Sequence, residues 1–180
     1  MSLTSTWIAS NSLALGDTVG NNVLVITDNN SAMRAQNFNQ DVTKPQLVSF
    51  SLSVNDPAQL ALTFSEPVVA GSRYESEIVL QNAASATPSA TTRLSTSTSW
   101  SSDNSVVTIA IALVELNSIK DQAGLGMSPA TTYLSLTGNT VTDIVGNAVT
   151  AVTPANAAQA AMYTADTTAP QLTSFLLSRN

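Results

Sequence analysis

Asp166-Thr167-Thr168-Ala169-Pro170-Gln171-Leu172-Thr173-Ser174-Phe175 has a counterpart 125 residues earlier, Asp41-Val42-Thr43-Lys44-Pro45-Gln46-Leu47-Val48-Ser49-Phe50. Asp, Thr, Pro, Gln, Leu, Ser and Phe recur at matching places. A second pair agrees: Asp143-Ile144-Val145-Gly146-Asn147 echoes Asp17-Thr18-Val19-Gly20-Asn21 at an offset of 126. Two motifs displaced by nearly the same distance define an internal repeat, and a repeat decides how the rest of the chain is divided. Residues 41–165 are expected to form one complete copy. Residues 1–40 read as the C-terminal part of a preceding copy, and 166–180 as the first strand of a following one. A period of about 125 residues is long enough to bury its own core. The chain therefore reads as a window on a tandem array.

Alternation of apolar and polar residues sets the fold class. Val48, Phe50 and Leu52 alternate with Ser, and Leu60, Leu62 and Phe64 repeat the pattern after an Asn55-Asp56-Pro57 turn. Glu66-Pro67 ends that second strand, because Pro cannot donate to a central ladder. Ile78-Val79-Leu80 gives a third strand, and Val107, Ile109 and Ile111 alternate again. Strands resume at 131–136, around Val149 and at 160–164. The Ala/Ser/Thr-rich stretch 83–102 carries no clear strand signal, with Leu94 and Trp100 as its anchors. Leu113, Leu116 and Ile119 break the alternation at spacing three, which predicts a helix of two or three turns with Glu115 and Lys120 outward, ending near Gly124. Short strands at intervals of about ten residues indicate an all-β sandwich, with the helix as a crossover on its flank. Phe50, Leu62, Phe64, Ile109, Ile111 and Leu134 are the expected core.

Composition narrows the chemistry. Charged residues make up 10% of the chain, and the net charge is −6. An acidic surface repels phosphate backbones, so nucleic acid is not an expected partner. The six Lys and Arg are scattered: Arg34, Lys44, Arg73, Arg93, Lys120 and Arg179. There is no Cys and no His. That removes disulfides, thiol nucleophiles, His general bases and nearly all zinc sites. Without a nucleophile-and-base pair, no enzyme is expected. No apolar run approaches the roughly 18 residues of a membrane span; no basic n-region and apolar h-region follow Met1, so a signal peptide, if the protein is secreted, is expected to lie outside this stretch or to have been removed.

Thr63-Phe64-Ser65-Glu66-Pro67-Val68, Asp143-Ile144-Val145-Gly146-Asn147 and the junction Asp166-Thr167-Thr168-Ala169-Pro170 together carry a resemblance. They resemble the bacterial Ig-like tandem repeats of large surface proteins. They look closest to the repeats of cyanobacterial swimming-motility surface proteins and of protist surface or flagellar-hair (mastigoneme-like) proteins. The resemblance covers the complete copy and both partial ones. It implies an all-β, Ig-like β-sandwich repeat, an extracellular, cell-surface location and a structural role in an array, filament or adhesin.

Asp143-x-x-Gly146-Asn147 has two readings. Carboxylate, carbonyl and amide oxygens are hard ligands, so Asp143 and Asn147, with Glu66, Asp41 and Asp166, could hold calcium. Alternatively the segment is a turn, with Asp accepting backbone hydrogen bonds and Gly146 supplying a positive φ. Glu66 beside Asp143 also reads as a catalytic carboxylate pair, or as a strand-end carboxylate bonded to nearby groups. A Ser-Lys pair could draw on Lys44 or Lys120, though both look like surface residues. Trp7, Trp100, Tyr74 and Tyr133 are either a sugar-stacking platform, making the chain a carbohydrate-binding module, or core anchors. Asn29-Asn30-Ser31 is the one N-glycosylation sequon, at Asn29. Stretch 83–102 suits O-linked glycans or a plain loop. The expected partners are neighbouring repeats of the same protein, by self-assembly, and glycans. The strand at 172–177 pairs either within a continuous polypeptide or with the incomplete end of another copy.

Overall fold

A computed structural model describes residues 6–27, 32–69, 74–95, 99–103 and 105–178, with backbone alone for 99–103. The chain divides into two compact units, Met1–Val42 and Thr43–Asn180. The described residues are mostly β-strand, with one α-helix. None of their helices is long and apolar enough to cross a membrane.

The second unit contains two sheets that share one core. The first has five strands: β3 (Leu47–Ser53), β4 (Gln59–Phe64), β7 (Ser99–Asp103), β8 (Val106–Ala110) and β11 (Met162–Thr164), in the order β11-β3-β4-β8-β7. All its pairings are antiparallel except β11 with β3, which is parallel. The second sheet has four strands: β5 (Ile78–Gln81), β6 (Thr91–Arg93), β9 (Tyr133–Leu136) and β10 (Ala158–Gln159), in the order β10-β9-β5-β6. Leu60, Leu62 and Ile109 of the first sheet and Ile78, Leu80 and Leu134 of the second are fully buried in one cluster. Period-2 side chains from both sheets thus meet on their inner faces. All six expected core residues are buried.

Local departures from the alternation have physical causes. Val48 is exposed although it shares parity with buried Phe50 and Leu52. The β3–β4 register shifts between Leu47 and Ser49, so Val48 is the extra residue of a bulge and loses its inward place. The Ser/Thr-rich stretch supplies two strands, β6 and β7, and its anchor Leu94 is buried.

Helix α1 (Leu113–Asp121) forms where the spacing-three pattern predicts it, but its faces are rotated from the expectation. Leu116 and Ile119 are buried; Leu113 is exposed and Glu115 is buried. The Glu115 carboxylate accepts the Ser95 N–H, and that bond holds it inward. Lys120 keeps its outward position. At the end of the helix, Gln122 extends its side chain along β6. Its Oε1 accepts the Thr91 N–H at 2.8 Å, and its Nε2 donates to the Thr91 carbonyl at 2.7 Å.

The first unit has two short strands, β1 (Trp7–Ile8) and β2 (Met33–Arg34), paired antiparallel as Trp7↔Arg34 and Ile8↔Met33. The same pairing occurs in the second unit, where Tyr133↔Gln159 and Leu134↔Ala158 join β9 to β10. The offsets are 126 on one strand and 125 on the other. Isolated bridges Ser10↔Ile26 and Gly16↔Asn22 have equivalents Leu136↔Val152 and Thr142↔Ala148, all displaced by 126. Single hydrogen bonds match too: Val23 N donates to Leu15 O at 2.9 Å, and Val149 N to Val141 O at 3.0 Å. Ala35 N donates to Thr6 O at 3.0 Å, and Ala160 N to Thr132 O at 2.9 Å.

Candidate functional site

The Asp143 turn begins from one short side chain. Asp143 Oδ1 accepts the N–H groups of Val145 (2.9 Å) and Asn147 (2.8 Å), and Oδ2 accepts the Asn147 side-chain amide (2.7 Å). Asp143 N donates to Asn147 O at 3.1 Å, closing the loop across the strand ends. Gly146 sits at φ 96°, a left-handed conformation that a side chain would strain. Asp143 is buried, and that burial pushes its carboxyl up. The Asn147 side chain and the N–H groups of Asn147, Val145 and Gly146 outweigh it, leaving the carboxyl below the usual range.

Asp17 builds the same turn in the first unit. Its Oδ1 accepts Val19 N–H (3.0 Å) and Asn21 N–H (2.8 Å), and its Oδ2 accepts the Asn21 amide (2.8 Å). Gly20 sits at φ 91°. The Asn21 side chain, then its backbone N–H, hold the Asp17 carboxyl below the usual range. Asp17 is exposed, so this set of bonds needs no surrounding core.

Glu66, just past the end of β4, is half-buried, and its carboxylate oxygen lies within 4.8 Å of the Asp143 carboxylate. Val69 N–H donates to Thr142 O at 2.8 Å and ties the two loops together. The sequence also groups Asp41 and Asp166 with these two acids, but Asp166 is engaged elsewhere. Lys120 Nζ meets Asp166 Oδ2 at 2.7 Å, and Thr168 N–H donates to Asp166 Oδ1 at 2.8 Å. Lys120, together with the Thr168 N–H, holds the Asp166 carboxyl below the usual range. Asp41 is exposed at the end of the first unit. Asn29 lies outside the described residues.

Calcium takes six to eight oxygen ligands. Asp143 Oδ1 accepts two N–H groups and Oδ2 one, all from its own turn, and the Asn147 amide nitrogen faces Asp143 as a donor. The geometry makes Asp143 and Asn147 a turn whose hydrogen bonds are internally satisfied, with Glu66 as its acidic neighbour. Of the two lysines weighed as activating bases, Lys120 is in an ion pair and Lys44 is exposed.

A cleft of about 540 Å³ opens beside this turn, lined by Tyr74, Glu77, Gly138, Asn139, Thr142 and Ala148. Tyr74 is exposed at its edge, whereas Tyr133 is half-buried. Glu77 accepts the Thr137 hydroxyl at 2.6 Å. Trp7 is exposed in the first unit, and the Trp100 side chain lies outside the described residues. One buried polar group was not legible in the sequence. Gln81 donates to Ala83 O at 2.6 Å and Pro154 O at 2.8 Å, and accepts the Ser135 hydroxyl at 3.2 Å. Its partners lie up to 73 residues away, and no local pattern signals that. No protein family, curated protein or solved structure matches this chain.

Proposed function

We propose that the chain is a structural, non-enzymatic element of an extracellular surface array or filament, built from Ig-like β-sandwich repeats of the bacterial surface-protein kind. The observation that carries this reading is the twinned backbone pairing. Bridges and hydrogen bonds across residues 6–35 recur across 132–160 at offsets of 126 and 125. A chain that spends its length on copies of one building block is suited to making length and regular spacing. Two sheets sharing a core suit a rigid bead. The joint at 166–170 suits a fixed exit from it. Asp166 is held by Lys120, and Thr167 N–H and the Thr168 hydroxyl both reach Asn55 Oδ1 at 3.4 Å. Pro170 then fixes its own φ and keeps Ala169 extended. Few charges and many hydroxyls fit a surface that packs beside its own copies.

Immunogold labelling of intact source cells tests the proposal, with antibodies raised against the folded chain. Regularly spaced label on unpermeabilised cells is expected. Label that appears only after permeabilisation overturns it.

A second reading rests on the cleft. Tyr74 at its edge, with Glu77, Asn139 and Thr142 alongside, pairs an aromatic face with hydrogen-bonding groups, the combination that holds a sugar ring. A glycan array separates the two. Binding that Tyr74→Ala abolishes without lowering the melting temperature favours a carbohydrate-binding, adhesive module.

A further inference from the structure

We propose that helix α1 and Gln122 close the outer edge of β6 against the same edge of a second copy, and that removing this cover lets two copies join through β6.

Strand β6 ends its sheet, with β5 on one side only. Backbone groups alternate in direction along a strand. Asn82 N donates to Ala90 O and Leu94 N to Ile78 O, both at 3.1 Å, so the even-numbered residues face β5. Thr91, Arg93 and, just past the strand, Ser95 therefore turn their N–H and carbonyl groups to the outer side. Side chains from one stretch of chain meet the first and last of these. Gln122 takes both groups of Thr91, its Oε1 accepting the N–H at 2.8 Å and its Nε2 donating to the carbonyl at 2.7 Å. The buried Glu115 carboxylate accepts the Ser95 N–H. Between them the Ser118 hydroxyl lies 3.3 Å from the Thr92 hydroxyl, which also accepts Gln122 Nε2 at 2.8 Å.

Positions 115, 118 and 122 stand at i, i+3 and i+7, which share one face of a helix. Seven helical residues advance about 10 Å, and the four strand steps from 91 to 95 about 13 Å. The polar stripe of α1 thus nearly matches in length the edge that it covers, and it runs antiparallel to that edge.

The partner follows from the same three outward residues. A two-fold axis at Arg93 sets Arg93 opposite its own copy and Thr91 opposite Ser95, an antiparallel ladder that pairs every outward group. Such a contact is isologous and closes as a dimer. Arg93 adds to the cover, because like charges directly opposite are destabilising. Charge on an edge strand is one of the ways in which sheets avoid joining. The Arg93 side chain is exposed, and its Nη1 donates to the Ser76 carbonyl.

Sedimentation of full-length chains over a wide concentration range tests this in wild type, in Gln122→Met/Arg93→Ser, and in that pair with Thr91→Pro added. Met keeps the length of Gln without its amide donor and acceptor. Dimerisation several-fold stronger than wild type is expected in Gln122→Met/Arg93→Ser. It should return to the wild-type level with Thr91→Pro, which removes an N–H from the outer edge. Equal association in the first two chains overturns the proposal. Extra association that persists with Thr91→Pro also overturns it, since the new Met and not the edge is then what joins. Amide exchange in the unmodified chain gives a second readout that does not depend on how the variants fold. Thr91 and Ser95 should exchange at rates near that of Thr92, whose N–H faces β5. Exchange many-fold faster at both shows an edge that α1 does not close, and overturns the proposal.

Discussion

The Asp17 and Asp143 turns make the same bonds in different surroundings. Three hydrogen bonds to the carboxylate agree within 0.1 Å between them, and both glycines are left-handed. Around Asp143 the neighbours are buried: Leu134, Val141 and Val149 are at 0%, 1% and 2%. Around Asp17 the equivalents Ile8 and Leu15 are at 61% and 71%. The turn is thus written in five consecutive residues, while burial needs strands β3, β4 and β5 supplied from far along the chain. Short-range chemistry shapes the backbone, and long-range packing makes it stable.

The sharpest way to break the comparison is to remove core from the covered copy. Phe64→Ala should cost about 3–5 kcal/mol in a denaturant titration. A loss under about 1 kcal/mol would mean that β4 does not carry the core. A matched pair of truncations follows at one repeat position. Leu134→Ala should cost about 2–5 kcal/mol, and Ile8→Ala about 0.5 kcal/mol or less, as for an exposed site. Similar costs at both places would show that the first unit buries Ile8 after all.

Gly146→Ala is smaller again. No atom lies within 4 Å of the added methyl, so only the left-handed backbone opposes it, at about 1–2 kcal/mol. No measurable change in the melt would show that the turn relaxes out of that conformation. Acid sharpens the comparison by charge. Asp143 and Asp166 both titrate below the ordinary carboxyl value, so the unfolded chain binds protons first as pH drops. Their contribution is whole above about pH 4 and is lost as pH falls through the folded values. Melting temperature against pH should therefore decline below about pH 4, and Asp143→Asn should make that decline shallower. An unchanged slope would remove Asp143 from the acid response. The smallest effect expected is from calcium. Because the turn satisfies Asp143 itself, chelator and added calcium should give the same melt. A rise of several degrees with calcium would instead mark a ligand bound only to the folded state.

Much of this fold was legible where one face of a strand reads cleanly. The alternation at 50–52, 60–64 and 107–111 placed β3, β4 and β8 and their buried side chains. It failed at Val48, because a bulge is a property of two strands in register and not of one. It failed at Glu115, which looks solvent-facing by type; inside the fold it accepts the Ser95 N–H, 20 residues away. Strands β6 and β7 hid in Ser and Thr because they borrow their pairing from β5 and β8. At the candidate site the Asp143 turn was readable from five residues. The proximity of Glu66 follows from the return of a distant loop, and so does the diversion of Asp166 to Lys120.

Strand β6 is the outer strand of its sheet, and the Gln122 side chain occupies its open side. An amide side chain presents one donor and one acceptor, the same pair that a neighbouring strand would offer to Thr91. Gln122 therefore stands in for a missing strand at the point where a second sheet would begin to zip. In a crowded assembly of identical sheets, such a stopper decides which edges join and which slide past. Two copies brought close together would then not fuse sideways through β6.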